Sequence, residues 1–547
     1  MTRPERPSDP PPPFASIARL AGARGAALWT ALAYFAVVAA LGLVFHVTGD
    51  LESESDFFDS YVVQARAFLH GSIAVDPYRG PVYPILLALF SLPMGLVGAG
   101  MFEAGIVLSA LSGAVTLYFT QRLLSRWLSA PVAMAVTLLA ALNWVFVRYS
   151  YTTGNDMPFA ALATAALCVF FAPRAGTRLR PLALGILCGV VYLTRYNGVA
   201  LPLVMFAGVL LFDLWDLPCK RRVRACVLLA AGFAAVLSPW ALYCKAETGR
   251  YVYNENYRNV AYGAYMTTEG TTEEFLARHP GEFTGYHDVL SYDPGRLLKQ
   301  VAVHFVEHTR RVLQRVLSWP LSIFTLVGLA SLFRRGGNRS FSVYALAGAV
   351  FYLLLLLVFY SDRFLLFLVP IACALAAHGF VVASDAISRR TPVPPFADFA
   401  LMTLLIYSAI TCVAFNRPLI HGADTVFREM GETFARERPG HDRAETVVAR
   451  KAYFGYFAGL TTAPLPLVSS HDELMAYLRR VGADYLFFSY VAYNTREALT
   501  YLSYPDRPHP GLVPLAMAPP TSEGSFRGVL YRVGKDGAAP AHPTGDE

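Results

Sequence analysis

The sequence predicts an all-α polytopic membrane protein of about eleven transmembrane helices, with one further interfacial or re-entrant helix and a small C-terminal α/β domain. Three observations carry that expectation. The 547 residues are 55% hydrophobic and only 16% charged, with a mean hydropathy of +0.41, where ordinary soluble domains carry roughly a quarter charged residues. Many apolar runs approach the ~20 residues that cross a bilayer. After Asn416 the pattern changes to short strand and helix signals.

Residues 1–26 open with MTRPERPSDPPPPF, a proline-rich stretch without a signal-peptide pattern. They are expected to form a disordered cytoplasmic tail, and the first span to act as an uncleaved anchor. Spans are expected near 27–47, 101–121, 130–147, 157–172, 181–197, 198–215, 223–243, 316–333, 341–359, 364–386 and 397–416. The apolar run 81–98 is the ambiguous one, and loop charge decides it. If it does not cross, Arg122/Arg126, Arg174/Arg178/Arg180, Lys220/Arg221/Arg222/Arg224, Arg334/Arg335/Arg339 and Arg389/Arg390 all fall on the cytoplasmic side with the N-terminus. A full crossing would put every cluster outside, against the positive-inside rule. The run 81–98, opened by Pro81 and Pro84 and interrupted by Pro93, is therefore read as interfacial or re-entrant.

This topology places four segments on the extracytoplasmic side: the first loop 48–100, the short loop 148–156, the long loop 244–315 and everything from 417 on. In the tail 417–547, ETVVAR (445–450) and YLFFS (485–489) read as strands, with 471–481 as a helix between them. The net charge of +7 sits largely in the short basic clusters between apolar runs, so no nucleic-acid partner is expected. The seven cysteines have no zinc-ligand spacing, and neither a disulfide framework nor a metal cluster is expected. No metal ligands are assigned. No internal repeat is visible, which weighs against an inverted-repeat transporter.

Ionisable residues at membrane depth are costly and are functional candidates. Asp56 and Asp59 stand three apart in the first loop, a spacing that shares one face if the stretch is helical. Arg79 and the run Gly80-Pro81-Val82-Tyr83-Pro84 follow, with Tyr83 as the loop aromatic. Asp156 stands at the mouth of a span, where capping the helix is the competing role. Arg195 ends another span, where snorkelling is the alternative, and Arg363 lies in Tyr360-Ser361-Asp362-Arg363-Phe364. Three arginines beside acids point to an anionic ligand held against a base, because the guanidinium fork suits phosphate oxygens. His304 and His308 share a helical spacing, yet without further ligands they read as ordinary surface histidines.

The first loop, with its acids, then YVVQARAFLHG and RGPVYPILLALF, resembles the first outer loop of the GT-C membrane glycosyltransferases. It is similar to the dolichyl-phosphate-mannose protein mannosyltransferases and the bacterial aminoarabinose transferases of lipid A. TGNDMPFAALA, GVVYLTRYNGVALPLV and YSDRFLLFLVP resemble the later motifs of the same family, in the same order. The similarity covers roughly 27–416, and the tail resembles the variable soluble domain that often follows. The resemblance implies a hexosyl- or pentosyltransferase of the cell envelope. It would transfer a sugar, with inversion, from a polyprenyl-phosphate donor to a hydroxyl of a lipid, polysaccharide or protein acceptor. The plasma membrane's outer side is the implied location. By motif, the first-loop acid is Asp56 or Asp59, the second acid Asp156, and the donor phosphate meets Arg79, Arg195 and Arg363. The family's usual Asp-Glu pair is here Asp-Phe-Phe-Asp, so both aspartates stay open as the base, with Asp56 the favoured one. Some relatives bind a divalent metal, the one cofactor the resemblance allows.

Two other classes compete. A transporter or flippase for a lipid-linked or anionic solute would need charged or broken helices at mid-membrane, and the predicted interiors are Ala, Leu, Val and Phe. An assembly protein using residues 417–547 as a binding module is the third.

Overall fold

The computed structural model describes residues 15–46, 50–51, 53–173, 179–266, 271–335, 338–389, 396–421, 425–438, 445–521 and 523–534. The chain divides into two compact units, one of residues 1–47 and 64–421, the other of residues 48–63 and 422–547. The proline-rich residues 1–14 lie outside the described residues. Ala15–Gly22, in the stretch expected to be disordered, is a helix that buries Ile17.

In the first unit every expected apolar run coincides with helix, because backbone in an apolar medium must satisfy its own hydrogen bonds. Among the described residues five helices are long and apolar enough to cross a membrane: Ala26–Phe45, Met101–Leu124, Cys219–Thr248, Leu368–Ser388 and Phe396–His421. The expected span 130–147 is two helices, Ala130–Ala141 and Trp144–Tyr151, bent by 62°. Asn143 makes the bend. Its side-chain oxygen accepts from the Val145 and Phe146 amides at 3.1 Å each, and its Nδ2 donates to the Val316 carbonyl at 2.7 Å. The other expected runs are the shorter helices Asp156–Phe170, Arg180–Thr194, Ala200–Leu210, Ser318–Arg335 and Arg339–Leu355. The ambiguous run is the 15-residue helix Val82–Leu96. At 1.5 Å per residue it is about 22 Å long, short of the ~30 Å hydrocarbon layer.

Two helix pairs meet through reciprocal glycines. Helix Arg180–Thr194 packs on Cys219–Thr248 so closely that a Cβ at Gly185 would overlap the Leu229 carbonyl, and one at Gly232 the Leu182 carbonyl. Ser318–Arg335 meets Leu368–Ser388 the same way: Gly328 lies on the Leu375 carbonyl and Gly379 on the Phe324 carbonyl. Small residues let backbones approach where no hydrophobic gain distinguishes protein from lipid. These pairs fix one end each of the turns that carry Arg195 and Arg363.

The long loop 244–315 is folded. Helices Tyr257–Tyr265, Thr272–Arg278, Tyr286–Tyr292 and Pro294–Arg311 follow one another, with a small core of Tyr257, Val260, Tyr265, Phe275, Phe283 and Val289.

The second unit is built on a five-stranded sheet: β1 Thr446–Ala449, β2 Thr461–Pro464, β3 Tyr485–Ser489, β4 Leu512–Met517 and β5 Gly528–Val533, in the order β2-β1-β3-β5-β4. The central strands β1 and β3 pair in parallel, and β5 runs antiparallel to both β3 and β4. Helix His471–Arg480 turns Leu474, Met475 and Leu478 onto Val448, Leu486 and Phe488. The two strands and the helix read from sequence are present. Residues 48–63, expected with the membrane core, belong to this unit instead. The physical reason is aromatic: Phe57, Phe58 and Tyr61 are buried, and the Phe58 ring lies 4.0 Å from that of Tyr453 and 5.1 Å from that of Tyr456.

Candidate active site

The arginine turns of the first unit and the acidic segment of the second are separate constructions. In the first unit, helix Arg180–Thr194 ends as Arg195 adopts an extended conformation (φ −148°, ψ 130°), and a short 3-10 turn, Tyr196–Val199, follows. Asp156 is the first residue of helix Asp156–Phe170, where a negative charge suits the dipole. Its Oδ1 pairs with Arg195 Nη1. With side chains 6% and 15% exposed, neither residue is simply capping or snorkelling. Asn155 Nδ2 donates to the Thr194 carbonyl at 3.0 Å and locks the same two elements together.

Arg363 belongs to the short helix Asp362–Leu365. Its neighbour Asp362 is the anchor: it is buried, accepts from the Tyr360 hydroxyl at 2.6 Å and pairs with Arg315 Nε at 3.2 Å. The guanidinium carbons of Arg195 and Arg363 each lie 5.2 Å from the ring centre of Phe364, so two predicted phosphate ligands lie against the same aromatic ring.

Arg79 is held by Asp76, whose Oδ2 lies 3.1 Å from Arg79 Nη1 and also accepts from Gln64 Nε2 at 3.3 Å. Asp76 Oδ1 accepts from the Tyr78 amide at 2.7 Å. Backbone contacts fix the loop. The Tyr196 hydroxyl donates to the Arg79 carbonyl at 3.3 Å, and Gly80 sits where a Cβ would overlap the Leu193 carbonyl. Arg79 is therefore pinned against the turn that carries Arg195. On the other side the Glu255 amide donates to the Pro77 carbonyl at 2.7 Å and Asn256 Nδ2 to the Tyr78 carbonyl at 3.1 Å. Burial lifts the Tyr78 phenol above its usual range, while Arg258 pulls it back. Tyr83, expected as a loop aromatic, lies in the first turn of helix Val82–Leu96 and is fully buried. Its place beside Pro84 at a helix start explains the difference, since proline in a first turn lets the helix begin there, and the helix continues through Pro93.

His304 and His308 are not surface residues. Both are buried, and their rings stack at 4.9 Å and 11°. His304 Nδ1 donates to the Leu356 carbonyl at 2.9 Å and its Nε2 accepts from Gln300 at 3.0 Å. The His308 ring lies 5.3 Å from that of Tyr360. Burial, with the charges of His304 and Arg311 adding to it, pushes the His308 imidazole down to about 4.

In the second unit, Asp56 precedes a π turn, Phe57–Tyr61, closed by the Val62 amide on the Phe57 carbonyl. A wider turn than an α-helix rotates Asp59 further from Asp56 than the expected shared face. Asp59 is engaged on both oxygens: Oδ1 accepts from the Ala452 amide at 3.0 Å and Oδ2 lies 3.5 Å from Lys451 Nζ. The Tyr453 hydroxyl donates to the Asp50 carbonyl at 2.8 Å. Burial raises that phenol well above its usual range, and Glu54, Asp59, Asp50 and Asp56 add to the effect in that order. Among the described residues no three His, Cys, Asp or Glu side chains are grouped to hold a metal ion.

Sequence reasoning missed Asp76 and Lys451, which meet Arg79 and Asp59, and Asp362, which meets Tyr360 and Arg315 beside Arg363. Asp362 stands inside a quoted motif, one residue from Arg363, and Asp76 lies between two of them, three residues from Arg79. Lys451 carries no local signal at all.

No family model matches the chain, and no curated protein matches it. Solved structures do. ArnT from Cupriavidus metallidurans bound to undecaprenyl phosphate is similar over 95% of this chain and 100% of that one, at 14% identity and a TM-score of 0.59. An oligosaccharyltransferase of Archaeoglobus fulgidus in complex with Zn and sulfate is similar over 92% and 73%, at 13% identity and a TM-score of 0.55. The arabinofuranosyltransferase AftD from Mycobacteria matches 94% of this chain and 42% of its own length, at 14% identity and a TM-score of 0.50. The fold is that of the GT-C glycosyltransferases, and with its apolar helices the chain is a multi-pass membrane protein.

Proposed function

We propose that this protein transfers a sugar from a polyprenyl-phosphate donor to an acceptor hydroxyl, with inversion, on the extracytoplasmic side of the membrane. The observation that carries the reading is the placement of Arg195 and Arg363 against the same ring, Phe364, with Asp156 paired to Arg195. Two guanidinium groups so placed can bind phosphate oxygens through several N–H donors at once. Arg79, pinned beside the same turn, adds a third. A lipid-phosphate donor is also what the likeness to a structure bound to undecaprenyl phosphate suggests.

In the proposed reaction a first-loop carboxylate takes the proton of the acceptor O–H as its oxygen bonds to the anomeric carbon. The bond from that carbon to the phosphate oxygen breaks, and the electron pair leaves with the polyprenyl phosphate. The arginines stabilise the developing charge. A phosphate leaving group needs no protonation, so one base suffices and one displacement inverts the centre. Asp56 is taken as the base in this account, and Asp59, which meets Lys451 and the Ala452 amide, as its positioning neighbour. No step runs through a metal.

The test is incubation of purified protein with a panel of polyprenyl-phosphate sugars, followed by mass spectrometry. One donor is expected to be consumed, with release of polyprenyl phosphate. Consumption of none, together with lipid movement in proteoliposomes, would favour a flippase instead.

A further inference from the structure

We infer that the segment Lys451–Phe457 of the C-terminal domain is a positioning device for the first-loop acids, with Lys451 as its charged contact. The inference rests on the glycosyl-transfer reading for its kinetic consequence, though not for its structural one. Four contacts, all inside the second unit, carry it. Lys451 Nζ meets one oxygen of Asp59 and the Ala452 amide donates to the other. The Tyr453 hydroxyl donates to the Asp50 carbonyl, and Phe58 is packed by the rings of Tyr453, Tyr456 and Phe457 at 4.0, 5.1 and 5.9 Å.

These contacts bracket Asp56. Asp50 is tied on one side of it, Phe58 and Asp59 on the other, and the π turn that starts after it is held by both. A short acidic loop without such support would sample many conformations, and fixing each backbone residue costs about 1–2 kcal/mol. The contacts to Lys451–Phe457 supply the offsetting interactions. Asp59 is 38% exposed and Lys451 19%, so the ion pair alone is a modest contributor. The buried aromatic packing carries the rest. On this account Asp59 and Lys451 touch no substrate; they act through Asp56. The C-terminal domain then acts as the support of the first-loop acids.

The experiment uses the full chain and the variants Lys451→Met and Lys451→Arg, with two readouts. Hydrogen exchange of amides 57–61 is expected to quicken by about threefold in Lys451→Met, the scale of one partly exposed ion pair, with β3 amides unchanged. Turnover on the donor consumed by the wild type is expected to fall by about tenfold, within the ~10²-fold that a small misplacement can cost, with KM for that donor nearly constant. Lys451→Arg is expected to restore both. Unchanged exchange at 57–61 in Lys451→Met overturns the inference, as does a raised KM with full turnover. If the wild type consumes no donor, the transfer reading fails and the exchange result alone decides the positioning role.

Discussion

The arginine turns of the first unit and the acidic segment of the second solve the same problem, holding a charged side chain still, by opposite means. The arginines sit at helix ends, and each helix end is fixed by its own packing. Glycine contacts set Arg180–Thr194 against Cys219–Thr248 and Leu368–Ser388 against Ser318–Arg335, and acids within reach orient the guanidinium groups. The acidic segment has no such frame. Its anchor is a strand-to-helix turn of the C-terminal domain, and the bond from the Ala452 amide to Asp59 joins residues 393 apart in sequence. The first arrangement places charge through rigid elements; the second borrows rigidity from a domain that folds by its own core. One consequence is that damage should spread differently in each.

The largest effect is expected at the Asp156–Arg195 pair. Removing one partner of a buried ion pair costs about 3–5 kcal/mol, because the other charge is left behind. Asp156→Asn should therefore lower the unfolding free energy by about that amount in detergent, and Arg195→Gln added to it should cost less than the sum of the two. Additive losses in a double-mutant cycle would dissolve the pairing. Next is Gly232→Val. Its new side chain would strike the Leu182 carbonyl, and overpacking of this kind costs about 1–3 kcal/mol. Thermal unfolding should register that loss, whereas the same change at exposed Gly95, with nothing near its would-be Cβ, should lose less.

The smallest effect concerns pH. His308 is held neutral, its folded pKa depressed to about 4 from 6.5. Its contribution to stability is thus present above about 6.5 and is lost as pH falls through about 4. The melting temperature should decline across that window, and His308→Phe, which keeps a ring against His304, should decline less. An identical decline in both proteins would assign the acid sensitivity elsewhere.

Much of this was legible in the sequence. Long Ala, Leu and Val runs dictate helices, and charge at their ends marks the turns that carry Asp156, Arg195 and Arg363. The bend at Asn143 was not legible, because it depends on a bond to the Val316 carbonyl far along the chain. Nor was the burial of His304 and His308, whose helix reads as amphipathic and polar until Leu356 and Tyr360 cover it. The assignment of residues 48–63 to the C-terminal domain escaped for the same reason. Phe57, Phe58 and Tyr61 read locally as an apolar stripe, and only the fold names the rings they meet.

The central claim is that the first-loop segment supplies one base, Asp56, held in place by an engaged Asp59. Turnover of Asp56→Asn and Asp59→Asn, measured side by side on the donor that the wild type consumes, tests it most directly. A general base contributes about 10²–10⁴-fold, so Asp56→Asn is expected to lose at least about a hundredfold and Asp59→Asn only about tenfold, the smaller loss of a misplaced base. Full turnover in Asp56→Asn, or the larger loss in Asp59→Asn, would contradict it.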